Sequence, residues 1–256
     1  MLIHRHCRVG EKLDVAGLNE ITVLIDRAQT ELTEAAMNSW SPGLDGPPHA
    51  HDRKEQNFLV TAGRGLVRIG AESFPAEPGD FFHVPAGVIH QTVNLQPDRR
   101  LDYFLFNAFL DVDKEGHASF ADHISQVKEI RRRQAERQSA AADPGLAAGG
   151  SRRPGRRVAT RGCGAGRTVL VDRRAAERCE AFLLELPPGG TEPAAADATK
   201  EQTLLVLDGS ARATVDGEPV ELAAGEVLFV PRSAAFACTA GAAGLRLVSF
   251  GTVVAR

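Results

Sequence analysis

Thr22-Val23-Leu24-Ile25-Asp26 returns 146 residues further on as Thr168-Val169-Leu170-Val171-Asp172. The same offset carries Gly43 onto Gly189, Glu55 onto Glu201, Gly63 onto Gly209, Gly79 onto Gly225 and Pro85 onto Pro231, with no gap between residues 22 and 104. Glycine and proline mark places where the backbone needs unusual freedom or a fixed φ, so a register they hold over this distance predicts one folding unit written twice. Within the first copy, residues 21–25, 58–61, 66–69, 80–84, 90–93 and 101–109 are short strand-like runs separated by turn-forming stretches such as Pro75-Ala76-Glu77-Pro78-Gly79-Asp80. That rhythm predicts an all-β sandwich or barrel, repeated with smaller side chains from about residue 167.

Between the copies the composition changes. Ser119 can cap a helix over 119–139, on which Phe120, Ile124, Val127 and Ile130 share a stripe able to fold back on the first unit. Residues 140–166 are mostly Ala, Gly, Pro and Arg, with Arg152, Arg153, Arg156, Arg157 and Arg161, and predict a flexible linker that proteases cut first. The expected division is thus 1–118, the helix 119–139, the linker 140–166 and a second unit over 167–256. The length of 256 residues lets each unit bury its own core. A net charge of −3 gives no reason to expect nucleic acid as a partner. No stretch reads as a membrane span or a signal peptide, so the expectation is a cytoplasmic protein, monomer or homodimer, that meets a small molecule rather than a membrane. Cys7, Cys163, Cys179 and Cys238 form no C-x-x-C pair and are expected as reduced thiols.

The copies differ where chemistry would sit. His49, His51, Glu55 and His90 occur in the first; Ala195, Asp197, Glu201 and Phe236 replace them in the second. His49 and His51 share one face of a strand, and Glu55 and Asn57 share that parity if the strand runs on without a bulge. His90 would arrive from a neighbouring strand behind the Pro85-Ala86-Gly87 turn. Three imidazoles and a carboxylate suit one divalent transition metal, whether Fe, Mn, Zn, Ni or Co, and leave coordination positions open. His83 is expected to pack beside the site, and His4, His6, His117 and His123 to be surface or capping residues. Tyr103 and Asn107 share one face of the last strand and Phe104 and Phe106 the other, and parity alone does not say which face points inward.

Gly43-x5-His49-x-His51-x3-Glu55-x7-Gly63 resembles the first cupin motif, one residue longer at its end than the commonest form. Gly79-x5-Pro85-x-Gly87-x2-His90-x3-Asn94 is similar to the second motif at every defined position. The resemblance implies two tandem jelly-roll barrels joined by a helix and a linker, with the metal inside the first and a degenerate second. It implies a metal more firmly than an activity. The expectation is a metalloenzyme acting on a small polar metabolite, of dioxygenase or sugar isomerase or epimerase type; the alternative is a non-catalytic metal-dependent sugar or metabolite sensor. No dedicated acid/base residue is evident in the sequence.

Overall fold

The structure is a computed structural model that describes residues 2–115, 117–138 and 154–254. The first half supplies β1 (Ile3–His6), β2 (Glu11–Val15), β3 (Asn19–Ile25), β4 (Thr33–Trp40), β5 (Lys54–Ala62), β6 (Gly65–Ile69), β7 (Glu72–Ala76), β8 (Asp80–Val84), β9 (His90–Asn94), β10 (Leu101–Phe109) and helix α1 (Phe120–Gln138). The second half supplies β11 (Arg156–Ala159), β12 (Gly166–Val171), β13 (Cys179–Leu186), β14 (Thr191–Ala196), β15 (Lys200–Val215), β16 (Glu218–Ala223), β17 (Glu226–Val230) and β18 (Ala235–Val253). Every strand expected in the first copy is present. The expectation of barrels needs refining, because neither unit is a closed sheet.

In the first jelly roll a seven-stranded sheet of order β11-β8-β5-β10-β4-β3-β2 faces a three-stranded sheet of order β7-β6-β9. In the second, one eight-stranded sheet folds over itself because β15 and β18 run long enough to serve both layers. Each interior is an apolar cluster: Phe58, Phe82, Tyr103 and Leu105 with their neighbours in the first, Leu204, Leu228, Phe236 and Leu247 with theirs in the second. The outward faces of the two sheets build a third core between the domains. Phe104 and Phe250, equivalent under the 146-residue offset, lie with ring centroids 5.2 Å apart, and Phe106 stacks on Phe250 at 4.9 Å. An element that meets its own equivalent is the signature of a two-fold axis, so the duplicated chain packs like a symmetric dimer.

Two charges cross this apolar core, and each satisfies the other domain. Glu55 accepts hydrogen bonds from the backbone N–H groups of Glu177, Arg178 and Cys179 at 2.7, 2.8 and 3.0 Å. Glu201 accepts from those of Glu31 and Leu32 at 2.8 and 2.9 Å and from the Thr33 hydroxyl at 2.9 Å. Donors and acceptors correspond residue for residue at the same offset. A carboxylate buried to 2 % exposure persists in such a place because charge-assisted bonds replace its water.

Strands are also exchanged between the halves. β1, at the start of the chain, pairs with β17 of the second domain, Ile3 opposite Phe229; β11, after the expected linker, pairs with β8 of the first, Arg156 opposite His83. The division at 118 and 167 is therefore crossed at both ends, and the linker expectation needs correction for its second part. Residues 140–153 lie outside the described residues, but Arg157 and Arg161 each reach the buried Asp80 at 3.0 Å, which ties the basic run to the first domain as ion pairs. Helix α1 folds back on the first domain as expected, with Phe120 and Ile124 buried and Val127 packed against the same core; the Ile130 side chain is outside the described set. Among the described residues no helix is long and apolar enough to cross a membrane.

Strand exchange predicts that cutting the chain will not separate its halves. With a protease site inserted between Gly149 and Gly150 and cleaved, the two fragments should elute together under native conditions. Release of two independent half-size species would contradict the shared core.

Candidate metal centre

The first domain turns a polar face inward. On β4 and β10, Asn38 and Tyr103 face the interior, and the Tyr103 hydroxyl accepts from Asn38 Nδ2 and Trp40 Nε1 at 2.9 Å each, which answers the open question of parity. Phe104 and Phe106 consequently face the other domain. His49 lies before β5 and forms an isolated bridge with His90 on β9. His49, His51 and His90 bring one ligand nitrogen each to within 4.8 Å of the others, with ring centroids 4.4 to 5.3 Å apart.

The tautomers follow from the partners. His49 Nδ1 and His90 Nδ1 donate to the carbonyl oxygens of Pro47 and Val88 at 2.9 and 3.1 Å, since a carbonyl can only accept. That leaves Nε2 of each as the lone-pair nitrogen. His51 Nε2 is buried without a hydrogen-bond partner. Burial, reinforced by Lys54 and the neighbouring histidines, holds the pKa of His51 well below the ordinary imidazole value; burial and His49 do the same for His90. Imidazole nitrogens converging on one point, with His51 and His90 held neutral by burial, fit a borderline divalent metal.

Glu55 does not join them, and the expectation that it does is corrected. Both of its oxygens hold the second domain's backbone, and its neighbour Gln56 faces the site instead, Oε1 lying 2.8 Å from His90 Nε2. The cause is local: Asp52 and Arg53 form a turn before β5 begins at Lys54, so the parity of His51 does not carry through to Glu55. Asn57 shifts with it and bonds Cys179 Sγ and His83 Nδ1 at the domain interface, where His83 is also buried. His83 thus packs, as expected, but behind the site.

Two histidines expected as surface or capping residues lie elsewhere: His123 lines the site and His117 pairs with Glu34 behind it. His123, carried by α1, is buried with its ring centroid 5.4 Å from that of His51. It contacts Lys54 Nζ at 3.1 Å and Glu34 Oε1 at 3.2 Å, while His117 contacts Glu34 Oε2 at 3.1 Å and Asn107 donates to Oε1 at 2.6 Å. Glu34 is buried, which works against its charge, but the Lys54 ammonium and the bonds from His117 and His123 outweigh burial and hold its pKa well below the carboxylate range. Burial lowers Lys54 to about 8 despite Glu34, and lowers His123 to about 3. Glu34, His117 and His123 could in principle hold a cation, yet the Lys54 ammonium already lies 3.2 Å from Glu34 and serves as one. The amphipathic stripe of α1 was the available signal, because His123 follows Phe120 by three residues and precedes Ile124.

Between these groups is a cavity of about 40 Å³, lined by His49, Gln56, Phe58, His90, Tyr103 and His123 among others. It admits roughly three water-sized bodies. In the second domain the corresponding space is bordered by Ala195, Leu204 and Phe236, Asp197 caps Thr199 at 2.8 Å, and no cluster of metal-binding side chains occurs there among the described residues.

A family model described as the cupin domain matches residues 38–104 and again 182–248. No curated protein matches the chain. Among solved structures, protein Ylba from E. coli aligns over 100 % of this chain and 92 % of its own at TM-score 0.73 and 10 % identity. Oxalate decarboxylase from Lactobacillus farciminis, in a formate complex, aligns over 98 % and 86 % at TM-score 0.67 and 14 % identity. A putative glyoxylate-induced protein from Pseudomonas aeruginosa aligns over 93 % and 82 % at TM-score 0.67 and 15 % identity. At these identities the likeness is one of fold.

Substitutions separate the ligand positions from the domain clamp. His90→Ala should abolish stoichiometric metal uptake in a protein that still folds. Glu55→Ala should keep one metal per chain but lose on the order of 3 kcal/mol of unfolding free energy, as should Glu201→Ala, because each strands three buried donors. Loss of the metal in folded Glu55→Ala would restore Glu55 as a ligand.

Proposed function

The chain belongs to the cupin family, and we propose that it is a metal-dependent enzyme moving protons on a small oxygenated acid at a divalent metal held by His49, His51 and His90 in its first domain. The carrying observation is the convergence of three imidazole nitrogens beside a buried group that can exchange protons. When bound, the metal would polarise an oxygen of the substrate. The chain's own residues do the rest. Tyr103 and Gln56 give the cavity a polar wall, Phe58 an apolar one, and α1 excludes bulk water. His123 stands between the cavity and the Lys54 ammonium, and Glu34 links both to His117. This chain of groups supplies the acid/base function that an isomerase- or epimerase-type reaction needs and that a dioxygenase does not. The small cavity and the likeness in fold to oxalate decarboxylases support a small acid rather than a larger metabolite. The second domain supports the first through the shared core.

The test is elemental analysis of the purified protein, then a screen of small hydroxy and keto acids and sugars with an oxygen electrode in place. One metal per chain and turnover without oxygen uptake are expected. Lys54→Met should retain the metal and lower kcat by roughly 100-fold or more. Substrate-dependent oxygen consumption would select the dioxygenase type, and unchanged kcat in Lys54→Met would remove the proton-moving group.

A further inference from the structure

We propose that Gln56 is the fourth metal donor in place of Glu55, and that this all-neutral donor set makes metal binding depend on a small carboxylate as co-ligand; this rests on the three-histidine metal site proposed above.

The geometry around His90 is the first support. Its Nδ1 lies 3.1 Å from the Val88 carbonyl oxygen, which directs Nε2 into the site, where the Gln56 side-chain amide lies 2.8 Å away. The amide oxygen and the imidazole nitrogen are near enough to bind one cation together. The distance is close to the ~3.0 Å edge of an octahedron whose bonds are ~2.1 Å. Gln56 is 4 % exposed and lines the same cavity as His49 and His90.

The second support is spacing. Counted from Gln56 the motif reads His51-x4-Gln56-x6-Gly63, which absorbs the extra residue that counting from Glu55 leaves before Gly63. The second domain repeats the arrangement, since Gln202 lines its cavity while Glu201 holds the first domain's backbone.

The consequence is electrostatic. Three imidazoles and an amide leave a divalent ion with its full double charge, where a glutamate would cancel one unit. Glu34 contributes no spare negative charge, since the Lys54 ammonium balances it. Beside apolar walls such as Phe58 and Leu105 an uncompensated charge is costly, and a carboxylate entering the cavity lowers that cost. A space of about 40 Å³ selects the smallest members of the class. Because linkage is reciprocal, the carboxylate tightens the metal by the factor by which the metal tightens the carboxylate.

The experiment is titration of the full-length protein with Co(II), followed by visible absorption, with and without saturating formate. For the wild type, formate should lower the Co(II) dissociation constant by about fivefold or more. Gln56→Glu should bind Co(II) about tenfold more tightly without formate and respond to formate less than twofold. Gln56→Leu, which adds no buried charge and covers the case of a Gln56→Glu chain that does not fold, should weaken Co(II) about tenfold. Wild-type affinity indifferent to formate, or wild-type affinity in Gln56→Leu, would overturn the proposal while leaving the three-histidine site standing. Failure of the wild type to bind Co(II), or equal binding by His90→Ala, would overturn the metal reading itself.

Discussion

A carboxylate buried in an apolar interface has few ways to be stable, and Glu55 and Glu201 adopt the same one. Each takes three hydrogen-bond donors from a loop of the opposite domain, so each can be buried only while the other domain is in place. This reciprocal clamp determines which face of β5 and β15 meets the shared core. Since side chains alternate along a strand, the neighbours Gln56 and Gln202 are thereby turned into the two interiors. The position of the site's polar wall is in that sense a consequence of how the domains are joined. The exchanged strands β1 and β11 add backbone pairing to the same junction.

The duplication, the strands of the first copy and the three histidines were legible in the sequence because glycine, proline and ligand residues have rigid spacing requirements. Glu55 was misplaced because a strand was assumed to run unbroken from His49, whereas the turn at Asp52 and Arg53 resets the alternation. Two signals pointed the other way. One was the extra residue before Gly63. The other was Glu201 itself, retained in a copy whose three histidine positions had become Ala195, Asp197 and Phe236. A glutamate present where the three histidines are absent has another task.

Other parts were hidden for a different physical reason. β4 escaped notice because Glu34 and Asn38 point inward, so its pattern does not read as apolar-in and polar-out. His123 lay outside any motif and is brought to His51 only by the packing of α1. Arg157 and Arg161 fall in the expected linker, yet Asp80, buried on β8 and far off in sequence, is their partner. Long-range pairing of this kind leaves no local trace. In the second domain the interior is filled with Phe236, Cys238 and Ala240, which removes the need for polar partners there.

The central claim is that one face of β5 serves the domain junction and the other the metal. An anomalous difference map from metal-loaded crystals of the full chain tests it most directly. The account predicts one peak per chain, within bonding distance of His49, His51, His90 and Gln56, with Glu55 still bonded to the backbone of residues 177–179. A peak bound by Glu55, or a second peak in the other domain, would contradict it.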